Sequence, residues 1–197
     1  MNDKEKMLSG LLYNSNDEEL FNDRLKAKEL IYDFNNTYPT KLKERNEILK
    51  KLIAKIGTNL FIEQPFRCDL GYNIQIGDNF YANYNCTILD CAKVKIGNNV
   101  MFGPNVSIYT ATHPIHYELR NKGLEYALSI TIEDNVWIGG NVVILPNVSI
   151  GKNSVIGAGS IVTSNIAPNS VAVGNPAKII REITKSDKEY YCKNNKV

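Results

Sequence analysis

A chain of 197 residues with a formal net charge of +2 and 43% apolar side chains has the size of one domain, or of a main domain with a small appendage. The charge is too slight for a nucleic-acid surface, no basic stripe interleaved with aromatics occurs, and no apolar run is long enough to span a membrane. The charged start, Met1 to Lys6, lacks the apolar core of a secretion signal, and Cys68, Cys86, Cys91 and Cys192 show no CxxC spacing, so reduced thiols in a cytoplasmic protein are expected in preference to disulfides or metal ligands.

Residues 1–57 read as a helical cap region. A short first helix is expected over Asp3 to Leu8. Asp17 can cap a second, whose Leu20, Phe21, Leu25, Leu30, Ile31 and Phe34 fall roughly on one side, and Tyr38-Pro39 breaks it. Thr40 is the expected cap of a third, carrying Leu42, Leu49, Leu52, Ile53 and Ile56, with Gly57 as its stop. The predicted role is to cover one open end of the structure that follows, because a stack of coils otherwise exposes sheet edges and core.

From Leu60 the composition shifts to short strands and corners. Ile76, Ala82, Ile88 and Val94 keep a six-residue spacing, which slips by two at Ile96 and resumes through Phe102 and Ile108, with Asn99 and Asn105 at corners. Between Tyr109 and Ser129 it fails: the expected aliphatic positions hold Pro114, Arg120 and Tyr126. It then returns in phase as Ile132, Ile138, Ile144, Ile150, Ile156 and Val162, each followed three residues later by Asn135, Asn141, Asn147, Asn153, Gly159 and Asn165. Val142 and Val148 stand two residues before an aliphatic position, on the same face of a strand.

Each hexad therefore reads as one short strand and one sharp corner, where Gly or Asn takes the positive φ that such a corner needs. Three hexads close a triangular coil, and stacked coils bury the aliphatic column: a mainly β fold, a parallel β-helix of hexapeptide repeats over residues 58–183. Ordinary hairpins with Asn turns would not hold one phase for so long. Residues 109–129 form an extruded loop, and in repeat proteins such insertions often build the functional face. Beyond Val162 the hexads fade through Ala167-Pro168-Asn169 and Gly174-Asn175-Pro176-Ala177-Lys178 into a polar tail, 184–197.

Outward positions eighteen apart share a face of the prism. Trp137 with Val155 and Val143 with Ile161 make two faces apolar, while Thr131 with Ser149 makes the third polar. Contiguous apolar surface implies self-association, with three-fold packing of prisms as the obvious geometry, unless the C-terminal segment covers one face.

His113 and His116 are the chain's two histidines, both in the extruded loop. A neutral imidazole is the ordinary side chain poised to accept a proton near pH 7, and His113 lies at the loop's root, where its position is best fixed.

The hexad run, Thr110-Ala111-Thr112-His113-Pro114, Asn135-Val136-Trp137-Ile138-Gly139-Gly140 and Gly174-Asn175-Pro176-Ala177 together resemble the maltose/galactoside O-acetyltransferase family over nearly the whole chain. Gly10-Leu11-Leu12-Tyr13 and Phe66 to Asn73 look closer to its maltose branch. The resemblance implies a left-handed coil, a homotrimer with active sites between subunits, acetyl-CoA as donor and a sugar as acceptor, with no metal required. By position, His113 is similar to the catalytic base, and Asn83 to a residue that contacts the acceptor and the reacting centre. Asn83 is not itself a corner Asn, since the corner phase falls on Asn85. Asp17 and Asp69 match acceptor-binding positions, with a helix cap as the competing role for Asp17. Glu125 is expected to hydrogen-bond the imidazole and raise its basicity. A backbone N–H near Gly140 matches the oxyanion donor. Trp137 would flank the pantetheine arm, Ala158, Thr163 and Ser164 match small cofactor-contact positions, and Lys178 and Arg181 match those that meet the nucleotide phosphates. Where the galactoside branch has a carboxylate this chain has Cys91, which favours a maltose- or glucose-like acceptor.

Three other readings remain open to test. A zinc enzyme of the same coil type, the γ-class carbonic anhydrase, needs three histidines, and one chain supplies two. A non-catalytic sugar-binding solenoid has no use for the His113 loop. Relatives of this coil type also acetylate serine, drugs or amino sugars, and fold does not choose among acceptors.

Overall fold

The computed structural model of the chain describes residues 1–192 and 195–196. Three sheets of five, seven and five strands form the sides of a triangular prism. The first face runs through Lys55–Ile56, Ile74–Ile76, Val94–Ile96, Ile130–Ile132 and Ser149–Ile150. The second holds Phe61–Ile62, Tyr81–Ala82, Met101–Phe102, Trp137–Ile138, Val155–Ile156 and Ser170–Val173, and the third Phe66–Cys68, Cys86–Leu89, Ser107–Tyr109, Val143–Ile144 and Ile161–Val162. All of these strands pair in parallel, and Ile62, Ile76, Ile88, Phe102, Ile132, Ile144 and Ile156 point into one continuous buried core. The expected phase holds, with Trp137 beside Val155, Val143 beside Ile161 and Thr131 beside Ser149.

The edges explain why the coils stack. Between the first and second faces, Asn59, Asn79, Asn99, Asn135, Asn153 and Asn169 all have φ between 54° and 61°. Each donates its side-chain N–H to the Oδ1 of the next, at 2.8–3.0 Å. Asn thus serves twice: it tolerates the left-handed corner and it joins each coil to the next. Asn135→Ala is expected to cost about 1–2 kcal/mol, from left-handed strain plus two lost ladder bonds. Asn135→Gly, which keeps the corner and loses only the bonds, should cost less, as urea unfolding can measure.

Four sequence expectations need correction. Asn165 does not take a left-handed corner; its Oδ1 accepts the Ser149 N–H at 2.8 Å at the edge between the third face and the first, which tightens so that the next corner residue, Asn169, follows Asn153 by 16 residues. Thr40 does not cap a helix: the third helix, α3 (Leu42–Leu52), begins after Lys41 with no side-chain cap. Gly57 does not stop that helix, which ends at Leu52; it follows the first coil strand, where a Cβ would meet the backbone of Gly77. Phe21, Leu25 and Leu42 are exposed, so the buried faces are narrower than the sequence pattern.

The first helix, α1 (Asp3–Leu8), forms where expected, and the second, α2 (Glu18–Asn36), is capped by Asp17, whose Oδ1 accepts the Leu20 N–H at 3.1 Å. Ala27, Ile31, Phe34, Leu49, Leu52 and Ile53 join the main core above the first coil, so the helices close its open end. Arg45 sits in this plug, buried, donating to the carbonyl oxygens of Ile62 and Pro39. At the other end Lys178–Glu182 returns antiparallel to Ser170–Val173. It extends the second face lengthwise and does not cover that face's apolar outer side, where Met101 and Trp137 are each 52% exposed.

Candidate active site

The third edge, between the third face and the first, is where coil length varies. Paired positions are 20 residues apart in the first coils, 36 across the loop and 18 after it. The two-residue phase slip falls at Asp90 to Lys93, where the corner has no left-handed residue. Asp90 builds that corner instead. Its fully buried carboxylate accepts the backbone N–H groups of Asp69 and Leu70 at 3.1 and 2.9 Å and of Asn73 at 3.3 Å. Thr110 completes the turn, its hydroxyl accepting from the Ala92 N–H at 2.9 Å and donating to the Leu89 carbonyl at 2.7 Å.

One coil later the loop leaves from the same edge. Ala111–Thr112 pairs antiparallel with Leu124–Ala127, and a short helix, α4 (Tyr117–Arg120), spans the tip. The strand Tyr13–Asn14 then adds to Leu124–Ala127, so the N-terminal segment clasps the loop. A second small core of Met7, Tyr13, Leu20, Leu70, Cys91, Ala92 and Ala127 glues the clasp to the edge. The N-terminal region therefore both plugs the prism and braces the loop.

His113 projects from this brace with its side chain 54% exposed. Its Nδ1 lies 3.4 Å from the carbonyl oxygen of Leu124, and its Nε2 3.9 Å from Glu125 Oε1. The expected Glu125–imidazole hydrogen bond is thus absent at this spacing; the ring nitrogen instead meets a backbone carbonyl. An N–H on Nδ1 pointing at that carbonyl leaves Nε2 as the acceptor. Glu125 is fixed from behind, since the buried Tyr13 hydroxyl donates to its Oε2 at 2.8 Å. Sequence reasoning missed Tyr13 in this role; its signal was the pairing of an N-terminal strand with a loop more than a hundred residues away, which no local pattern carries.

Next to this pair, the Cys91 thiol donates to Asp69 Oδ2 at 3.5 Å. Burial pushes the Asp69 carboxyl up from its ordinary range, partly offset by the Cys91 contact, and the Glu125 charge adds to the rise. Burial likewise pushes the Cys91 thiol well up, so it is a neutral packing group at physiological pH. Tyr13, Asp69, Cys91, His113 and Glu125 thus gather on one edge. Asp17 spends one carboxylate oxygen on the α2 cap.

The remaining predicted residues lie elsewhere on the same chain. Asn83, Gly140 and Ala158 occupy the edge between the second and third faces, where Asn85, Asn105, Asn141 and Gly159 take the left-handed corners. Asn83 has no left-handed φ; its Oδ1 accepts the Tyr84 N–H at 2.8 Å. Beside exposed Ala158, a Cβ on Gly159 would meet nothing within 4 Å, which leaves room for an extended ligand. Trp137 stands outward on the second face, and Thr163 and Ser164 are exposed on the corner after Ile161–Val162. Lys178 begins the strand Lys178–Glu182, antiparallel to Ser170–Val173. Arg181 on that strand is paired with Asp187 through two hydrogen bonds at 2.9 and 3.0 Å, which raise its pKa and lower that of Asp187. No hydrogen bond or ion pair among the described residues joins His113 to Asn83 or Gly140. Nor, among them, does any group of three or more His, Cys, Asp or Glu side chains stand ready to hold a metal ion. No described helix is long and apolar enough to cross a membrane.

Two family patterns match the chain: a maltose acetyltransferase hexapeptide capping motif over residues 6–57 and a six-repeat bacterial transferase hexapeptide pattern over 129–164. A galactoside O-acetyltransferase of Escherichia coli K12 is 49% identical over 193 residues, 98% of this chain and 95% of that one. The crystal structure of a maltose O-acetyltransferase from Clostridium difficile 630 superposes with a TM-score of 0.92 at 53% identity, covering 94% of this chain and 99% of that one. A galactoside acetyltransferase in complex with coenzyme A superposes with a TM-score of 0.96 at 47% identity, covering 100% and 98%. With its prism, its helical plug and its braced histidine loop, the chain belongs to the maltose/galactoside O-acetyltransferase family and is an O-acetyltransferase of the hexapeptide-repeat class.

Proposed function

We propose that this protein transfers the acetyl group of acetyl-CoA to a hydroxyl of a glucose- or maltose-like sugar, in a site completed between copies of the chain. The observation that carries the reading is the His113 geometry: one ring nitrogen set against a backbone carbonyl, the other facing outward beside Glu125. In the reaction, Nε2 accepts the proton of the sugar hydroxyl as its oxygen attacks the thioester carbonyl. The Glu125 carboxylate stabilises the imidazolium that forms. The tetrahedral oxyanion receives an N–H near Gly140. Collapse breaks the carbon–sulfur bond, and the imidazolium returns its proton to the departing thiolate, giving free coenzyme A and the sugar ester.

A homotrimer is supported by where the groups lie. His113 and Glu125 sit on one edge of the prism and Asn83, Gly140 and Ala158 on another, so packing of one chain's edge against its neighbour's would bring them together. The apolar outer side of the second face, with Met101 and Trp137 exposed, supplies contact surface. Space beside Gly159 and the flat Trp137 suit the pantetheine arm, and Lys178 and Arg181 the nucleotide phosphates, with Arg181 released from Asp187 on binding. The free Cys68, Cys86 and Cys91 thiols agree with a cytoplasmic setting.

A thiol-release assay with acetyl-CoA against glucose, maltose, galactosides, serine and chloramphenicol tests this reading. Turnover of the hexoses is expected. Release with serine or the drug alone would move the acceptor to another class, and binding of sugar without any release would favour a non-catalytic solenoid.

A further inference from the structure

A groove of about 540 Å³ runs between α2 and the outer side of the third face, and no step of the acetyl transfer uses most of it. Lys28 and Tyr32 line it from the helix, and Arg67, Asp69 and Leu89 from the coils. Its walls are fixed: Asn35 Nδ2 donates to the Phe66 carbonyl at 2.9 Å, and Asn35 Oδ1 accepts the Phe66 N–H at 2.8 Å. The volume falls within the about 300–1,000 Å³ of small-ligand sites and exceeds what one hydroxyl and its ring require.

The charges along the groove are sorted. Asp69 is the one carboxylate in its lining and marks the end where Cys91, Tyr13 and Glu125 lead to His113. Lys28 and Arg67 are exposed, and among the described residues neither side chain makes an ion pair or a hydrogen bond. The exposed Tyr32 ring offers a flat apolar surface beside them. A free guanidinium next to an aromatic face recognises an oxyanion carried on a ring well, with two parallel N–H bonds to its oxygens.

We propose that this groove is a second acceptor subsite, which selects sugars carrying an anionic group on the ring or aglycone next to the ring that is acetylated. Asp69 takes hydroxyls of the reacting ring, Tyr32 stacks on the next ring, and Arg67 with Lys28 binds its carboxylate, sulfate or phosphate. The proposal rests on the sugar O-acetyltransferase reading above.

Phenyl glucoside and 4-carboxyphenyl glucoside, identical except for the distal charge, make the test. On the full protein the charged glucoside is expected to show a kcat/KM about 10-fold higher at low salt, shrinking as salt is added. In Lys28→Ala/Arg67→Ala the ratio should fall to near one, with turnover of phenyl glucoside and the thermal midpoint unchanged. Equal kcat/KM for the two glucosides in the natural protein, or a preference that survives in the double variant, overturns the subsite. Titration calorimetry with the same two glucosides separates the two readings. Preferential binding of the charged one without acetylation keeps the subsite while removing the sugar-acetylation reading, and equal or absent binding of both removes the subsite.

Discussion

Replacing His113 by alanine is expected to lower kcat for sugar acetylation by ~10²–10⁴-fold, the usual contribution of a positioned general base. KM for acetyl-CoA should change little, because in the proposed site the imidazole meets the reacting atoms and the nucleotide lies elsewhere. His116→Ala is the matched control. His116 is in the same loop but stacks on Tyr117 and lies 4.0 Å from Glu118, turned to the loop's own helix, so its loss should leave kcat unchanged. Full turnover by the His113 variant would remove the imidazole as the base. A loss shared equally by both variants would point to a collapsed loop, and circular dichroism with thermal melting would then show it.

Asp90→Ala should be the most damaging single change to stability at this edge, by about 3–5 kcal/mol. The carboxylate is the acceptor for three backbone N–H groups in a buried turn, and each donor left without a partner costs about 1–3 kcal/mol, partly relieved by relaxation. Asp69, which the proposed site sets against the acceptor, flanks this turn, so acceptor binding should weaken even in protein that stays folded. Asp90→Asn isolates the charge. Burial pushes the Asp90 carboxyl up to about 6, above its unfolded value of about 3.9. Between those two values the folded chain holds the proton more tightly than the unfolded chain. The group therefore contributes stability below about pH 4 that is lost as pH rises to about 6, and the loss is flat beyond. Urea midpoints of the natural protein, referred to Asp90→Asn across pH 4 to 7, should show that decline. An opposite slope would mean that the three N–H groups outweigh desolvation and hold the carboxyl ionised.

The prism was legible because its periodicity is local and redundant. Ile132 to Val162 and Asn135 to Asn153 repeat one strand-and-corner rule, and each repeat supports the next. The rule misled at Asn165, where the third edge tightens so that Ile166 already pairs with Ile150 on the first face, and the corner is made without a left-handed residue. At the helices, Thr40 and Gly57 are of the right residue types for cap and stop, yet the chain passes Thr40 without capping and reaches the first coil before Gly57. Packing against the coil end, not intrinsic preference, sets those limits. For the site, the sequence marks His113 and Glu125 but not how they are held. The roles of Tyr13 and Asp90 were not read because they depend on partners far away in the chain or on burial in a turn with no repeat signature.

The asparagine column has a consequence for how proteins of this build can diversify. Its bonds tie every coil to the next at a single edge, so residues cannot be added there without breaking a continuous seam. Growth and shrinkage fall at the edge where Asp90 and the His113 loop lie, whose coils already differ by as many as twenty residues (36 against 16) while the core keeps its alignment. New acceptors can accordingly be explored by lengthening one corner, with the load-carrying spine of the molecule left as it was.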